Sequence, residues 1–286
     1  MAGTLLDAIE GSSKPSLSFE FYPPKDADAA INLWSTVDKL LNADPAFTSV
    51  TYGAMGSNQD TSLSVVRKLA PLVPTIAHLT CIGARRDAIS QLLSDYSEAG
   101  VQGLLALRGD KPKGLDTLPE SDFSTALNLV DLAVGETSFA VGVAAFPEKH
   151  PESPNLEHDI KVLKLKQDAG AQFAMTQLFF ETDAYWRLID KARLAGVTMP
   201  IIPGVMPISN ARQVIRMAEM SGAAVPASLR KSLDNAPTDE SARIIGMAFS
   251  VELGTQLLES GAPGLHIFTL NQHGAALELA KAVGLA

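Results

Sequence analysis

Ser16-Leu17-Ser18-Phe19-Glu20-Phe21-Tyr22-Pro23-Pro24-Lys25, SLSFEFYPPK in one-letter code, is the stretch that decides the fold. An apolar, β-prone run stops at two prolines, which have no N–H to give a ladder, so a strand ends near Tyr22. The turn Tyr22-Pro23-Pro24-Lys25 has none of the glycines of the G-x-G-x-x-G turn that opens a doubly wound dinucleotide-binding sheet. Strand periodicity puts Ser18, Glu20 and Tyr22 on one face, and Leu17, Phe19 and Phe21 on the other. A single carboxyl, Glu20, is left near the strand's carboxyl end.

Outward from this stretch the same unit repeats. The run at 16–22 precedes helical spacing over 27–42, that at 46–52 precedes 60–70, and that at 75–80 precedes 86–99. Further strands are expected at 102–108, 139–145, 172–178, 199–205 and 264–270, with helices between them and one after the last. Eight β-then-α units with apolar strands imply a parallel sheet covered by helices, and closure into a (βα)8 TIM barrel is the expected α/β fold. More than fifty residues separate strands 7 and 8, room for extra helices. Residues 1–286 are read as one catalytic barrel domain, with no regulatory domain expected beyond it.

Composition sets the function classes. Hydrophobic residues make up 46% of the 286 and charged residues 19%, enough apolar material for a large core. A net charge of −9 without clustered Lys and Arg argues against a nucleic-acid footprint. A lone cysteine, Cys81, excludes a disulfide framework and a cysteine-rich metal site. The N-terminal MAGTLLDAIEGSSK shows no targeting signal, and no long apolar run suits a membrane, so a cytoplasmic protein is expected.

In a barrel, chemistry sits at the carboxyl ends of the strands. Glu20 is read in two ways: apolar surroundings disfavour a carboxylate and make a proton donor, or an ion-paired glutamate plugs the barrel. Polar groups gather at the other ends: Thr51 and Tyr52, His78 and Thr80, Arg108-Gly109-Asp110, the FPEKHPE segment from Phe146, and Thr176-Gln177. The five histidines show no HExxH, and neither a G-x-S-x-G elbow nor a P-loop occurs. His266, inside an apolar strand, is expected to be a hydrogen-bonded core residue. On the helix near 157–169, Asp159, Val162 or Leu163, and Lys166 share a face, with Gly170 ending it. That face suits a phosphate or polyhydroxyl chain; a solvated surface is the plainer account of Lys161, Lys164 and Lys166.

In order, SFEFYPPK, FTSVTYGA, AHLTCI, ALRGDKP, VAAFPEKHPE, DAGAQFAMTQLFF, IIPGVMPISN and FTLN resemble the methylenetetrahydrofolate reductase family in its bacterial, barrel-only form, across essentially the whole chain. The resemblance implies reduction of 5,10-methylenetetrahydrofolate to 5-methyltetrahydrofolate with NADH or NADPH, FAD relaying the hydride, for one-carbon metabolism and methionine synthesis. It makes Glu20 the acid that protonates the folate N10 and Asp110 the charge beside flavin and pterin. Gln177 would pair with the pterin, and Gln213, Met217 and Gln272 would complete the folate site. Thr51, His78, Arg108, Gly109, Asp110, Ala126, Phe146, His150, Asp159 and Lys166 fall on positions that hold FAD. No nucleic-acid or membrane partner is expected, and a homo-oligomer is allowed.

The chain departs from that pattern at Phe146 and Thr125, where tyrosines are common, and at Val162 and Leu165, where a polar and a basic residue usually face the flavin. Met217 replaces a stacking aromatic and Gln272 an arginine. The thinned flavin contacts raise an alternative, a flavin-free reductase with direct hydride transfer from NADH. A Schiff-base aldolase lacks a suitable strand lysine, and a non-catalytic folate-binding barrel would leave Glu20, Asp110 and Gln177 without purpose.

Overall fold

The computed structural model describes residues 5–10, 14–52, 59–110 and 120–286. Its strands are β1 Ser16–Phe21, β2 Phe47–Val50, β3 Thr75–Thr80, β4 Gly103–Leu107, β5 Ala140–Ala145, β6 Phe173–Thr176, β7 Ile201–Ile202, β8 Gly204–Val205 and β9 Gly264–Phe268. Every pairing is parallel, in the order β7-β6-β5-β4-β3-β2-β1-β9-β8. The expected seventh strand is split at Pro203, which has no N–H for the ladder. Its first half, β7, bonds to β6 and its second half, β8, bonds to β9, so one segment closes the ring. His266 N–H donates to the Pro203 carbonyl at 2.9 Å across that seam.

The helices α1 Leu5–Glu10, α2 Ala27–Leu41, α3 Gln59–Leu69, α4 Arg86–Glu98, α5 Ala126–Glu136, α6 Leu156–Asp168 and α7 Thr182–Leu194 precede β7. The long connection to β9 holds α8 Ala211–Ser221, α9 Ala227–Asp234 and α10 Asp239–Glu259, and α11 His273–Ala282 follows it. Side-chain oxygens start several of them: Asp26 accepts the Ala29 N–H, Asn155 that of His158, Asn210 that of Gln213 and Thr238 that of Ser241. Gly170, at φ +106°, follows α6 in the left-handed region. Among the described residues, no helix is long and apolar enough to cross a membrane.

Two cores result from strand alternation. Outward residues such as Phe19, Phe21, Leu79, Leu104 and Val141 pack under the helices. Inward residues Phe47, Ile76, Leu105, Phe173, Met175 and Ile202 fill the barrel, and α1 plugs its amino-terminal end with Leu5 and Ile9. Gly142 makes that filling possible, since a Cβ there would lie 2.2 Å from the Phe173 ring. With the bottom filled by hydrocarbon, polar inward side chains collect toward the carboxyl ends.

Candidate active site

Glu20 faces into the barrel, opposite Ser49 on β2 and Phe268 on β9 in the parallel register. Its Oε2 lies 3.8 Å from Nε2 of His78 and 3.7 Å from Nε2 of His266. The Glu20 side chain is 22% exposed, against 7% for His78 and 1% for His266, so the carboxyl is reachable while the imidazoles behind it are not. Phe19 and Phe21 lie on the other face of β1, fully buried under helices. The aromatic sleeve suggested by neighbours in sequence is therefore replaced, in space, by two imidazoles, a serine and Phe268.

His266 is hydrogen-bonded on both nitrogens, Nδ1 to the Ser18 hydroxyl at 2.8 Å and Nε2 to the Ser49 hydroxyl at 3.1 Å. That satisfies the expectation of a bonded core histidine; its nearness to Glu20 had no signal in sequence, because it follows only from β9 closing against β1. Burial pushes the His78 imidazole down to about 4, with the Glu20 charge pulling it back up, so it is neutral near pH 7. Nε2 of His78 and Oγ1 of Thr80, two residues apart on the inner face of β3, are buried with no hydrogen-bond partner among the described residues. Such orphaned atoms beside a carboxyl mark a place where a polar ligand completes the bonding.

The FTLN segment fastens this rim. Leu270 and Asn271 take left-handed backbone conformations at φ 50° and 53°, which side-chain-bearing residues enter only when held. The Asn271 amide accepts the Tyr22 N–H at 3.1 Å and donates to the Tyr22 carbonyl at 2.9 Å. Thr269 donates its hydroxyl proton to the Glu20 carbonyl at 2.6 Å. The backbone from the acid to the residue that follows the strand is thereby tied to the segment after β9.

A concavity of about 350 Å³ opens beside the ends of β4 and β5 against α6. Arg108, Ala126, Phe146, His150, Asp159 and Lys166, six of the residues expected to hold a cofactor, line it together. Thr125, Val162 and Leu165 line it too, so with Phe146 all the flavin-side departures face one space. Arg108 donates to Glu152 at 2.5 Å, a bond that raises the guanidinium pKa and lowers that of the carboxyl. Burial pushes the Lys166 ammonium down, opposed by the charge of Asp159. Asp159 accepts the His150 N–H at 2.7 Å. Lys164 pairs with Asp168, as a solvated face requires.

The remaining expected residues stand apart from this groove. His78 belongs with Glu20; Thr51 is half-buried just past β2, its N–H bonded to the Phe21 carbonyl. Gly109, at φ +90°, turns the chain after β4 so that exposed Asp110 follows Arg108; a Cβ there would meet Ile82 at 2.8 Å. Gln177 follows β6, its Oε1 accepting the Leu178 N–H at 2.8 Å. Gln213 and Met217 are half-buried on α8, Met217 packed on an apolar layer that includes Phe180, Met206 and Ile208. Gln272 is exposed at the start of α11. Gly53 and Ala54 of the FTSVTYGA motif lie outside the described residues.

The family model described as methylenetetrahydrofolate reductase matches residues 4–284. The 5,10-methylenetetrahydrofolate reductase of Escherichia coli K12 is 34% identical over 273 residues, covering 94% of this chain and 91% of its own. Methylenetetrahydrofolate reductase (NADH) 1 of Arabidopsis thaliana is 34% identical over 98% of this chain, which spans about half (50%) of that longer relative. A solved structure of an uncharacterized Clostridium thermocellum protein, described as binding two copies of 5-methyl-5,6,7,8-tetrahydrofolic acid, has a TM-score of 0.66 over 98% of this chain and 96% of its own. At 15% identity that likeness is one of fold.

Proposed function

The chain belongs to the methylenetetrahydrofolate reductase family, and from that premise we propose that residues 1–286 act as one catalytic barrel reducing 5,10-methylenetetrahydrofolate to 5-methyltetrahydrofolate with NADH or NADPH. The observation that carries the reading is Glu20, reachable at the barrel mouth and backed by two buried imidazoles, one of them orphaned. Glu20 gives its proton to N10 of the folate, the bond from N10 to the bridging carbon breaks, and an iminium at N5 results. An aminal carbon is a poor hydride acceptor and an iminium a strong one, so the acid acts first. A hydride then adds to that carbon while the nicotinamide loses two electrons. One proton is consumed per turnover, and the exposed part of Glu20 takes it up from solvent. Asp110 favours the cation by its charge, and the NH2 of Gln177 donates to a pterin acceptor. Gln213, Met217 and Gln272 border the folate's remaining length. The product serves methionine synthesis, in the cytoplasm.

The donor set of the groove fits a dinucleotide. Arg108 and Lys166 suit a pyrophosphate, Asp159 a ribose hydroxyl, and Ala126, Phe146, Val162 and Leu165 a flat apolar surface. FAD bound there would supply a two-electron carrier between nicotinamide and folate. Arg108 must first release Glu152. A second reading, direct hydride transfer from NADH without flavin, is supported by the hydrocarbon that Phe146, Val162 and Leu165 present where donors would grip an isoalloxazine or ribityl chain.

An absorbance spectrum of the purified protein, followed by anaerobic NADH and methylenetetrahydrofolate, tests both levels. Folate-dependent NADH oxidation yielding 5-methyltetrahydrofolate is expected; folate binding without NADH oxidation refutes the reductase. A stoichiometric flavin spectrum eliminates direct transfer, and a colourless active protein eliminates FAD.

A further inference from the structure

The buried layer directly beneath Glu20 joins three strands through one side chain. His266 on β9 reaches Ser18 on β1 and Ser49 on β2, and His266, Ser18 and Ser49 are buried to 1%, 0% and 0% exposure. We propose that His266 is a positioning residue for the proton donor: its Nε2–H holds Oε2 of Glu20, with His78 Nε2 on the other side, so that the transferable proton sits on the outer carboxyl oxygen. The inference rests on the reductase reading above.

One tautomer serves the acid. With the Ser18 hydroxyl donating to His266 Nδ1 at 2.8 Å, the Leu265 carbonyl lying 3.3 Å from the same hydroxyl, the ring proton sits on Nε2, the nitrogen that faces Glu20. A carboxylate beside Nε2 favours that arrangement, because it attracts an N–H and repels a lone pair. That N–H is directed between Ser49 Oγ at 3.1 Å and Glu20 Oε2 at 3.7 Å. His78 Nε2, buried and without a hydrogen-bond partner among the described residues, lies 3.8 Å from the same oxygen. Once those gaps close, the carboxyl is held at one oxygen by two fixed rings, loses free rotation and delivers its proton along one line. The His266 Nε2–H then stabilises the carboxylate left behind. The present separations close to hydrogen bonds with a movement under about 1 Å, as catalytic contacts do when substrate arrives.

Two measurements test this. Nitrogen-15 NMR of the wild-type histidines, assigned by loss of the signal in His266→Asn, should show His266 Nε2 protonated and Nδ1 accepting; an unprotonated Nε2 overturns the inference whether or not the protein turns over. In steady-state kinetics His266→Asn, too short to reach Oε2, should lower kcat about 10²-fold with little change in KM. His266→Gln, whose amide places an N–H near the position of Nε2, should recover most of that loss. Equal losses in the two variants, or an unchanged kcat in His266→Asn, defeat the proposal while leaving the reductase standing. A wild-type protein without folate-dependent NADH oxidation defeats the reductase, and the NMR result still decides the pairing.

Discussion

Replacing Glu20 by Gln removes one proton and almost nothing else. The amide has the carboxyl's shape, and the closest imidazole nitrogens, at 3.7 and 3.8 Å, are beyond hydrogen-bond length, so no tight bond of the folded state is lost. His266 keeps Ser18 and Ser49, and Thr269 still holds the backbone of residue 20. The stability change should stay within about 1 kcal/mol, as for a substitution that opens no cavity and strands no charge. Turnover should respond very differently. A positioned general acid contributes about 10²- to 10⁴-fold, which at 1.36 kcal/mol per decade is about 3 to 5 kcal/mol of barrier. The assay is formation of 5-methyltetrahydrofolate beside folate-independent NADH oxidation with an artificial electron acceptor, thermal unfolding serving as control. Loss of the first with the second intact is expected if a flavin is bound. Equal loss of both, or folate reduction within tenfold of wild type, refutes the acid role.

Asn271→Ala deletes both side-chain bonds to the Tyr22 backbone and leaves alanine in a left-handed conformation, so urea unfolding should register a loss of about 2 to 3 kcal/mol. His78 has its pKa lowered in the fold from 6.5 to about 4, so below pH 6.5 the unfolded chain takes up a proton that the folded chain refuses. Its contribution is fully present above pH 6.5 and lost as pH falls toward 4, on the order of 2 kcal/mol by pH 5; urea titrations at pH 7 and 5 check this, and His78→Gln should flatten the difference. In the groove, Glu152→Gln frees Arg108 of its carboxylate and should tighten FAD binding about twofold to fivefold by calorimetry, a small gain because the pair is solvent-exposed. Lys166→Met should weaken it by roughly tenfold.

The chain's alternation of strand and helix was legible because each strand is a short apolar run ended by a turn residue, and the observed bounds differ from the expected ones by a residue or two. Pro203 is where that reading stopped short: an apolar run from Met199 to Val205 looks like one strand, and only the neighbours on either side show that its halves bond in opposite directions around the ring. The plug α1 had no periodic signal long enough to announce it. At the site, strand alternation correctly set Glu20 apart from Phe19 and Phe21, yet the environment of its carboxyl was hidden. That environment comes from His78 and His266, one 58 residues and the other 246 residues along the chain by their numbering, brought together by sheet register alone. The helix face of Asp159, Val162 and Lys166 could be read from spacing; its partners Arg108 and Phe146 across the groove could not.

The acid and the groove draw on different parts of the barrel, so the departures along the groove leave the surroundings of the acid unchanged. Glu20, Ser49, His78 and His266 stand on β1, β2, β3 and β9, whereas Arg108, Phe146, Asp159 and Lys166 follow β4 and β5 or lie on α6. Gly109, beside Arg108 of the groove, turns the chain at φ +90° against β3: a Cβ there would lie 2.8 Å from Ile82 and 3.0 Å from Thr80, two residues beyond His78. Hydrocarbon at Val162 and Leu165 therefore alters what the groove grips without touching the acid. Residues with no shared partners act additively, so Glu20→Gln and Lys166→Met in one chain should combine as the product of their separate effects on kcat/KM, within about twofold. Gly109→Ala, at the junction, should instead perturb dinucleotide binding and folate turnover together; an effect confined to one of them would mean that the groove and the acid are not joined through this turn.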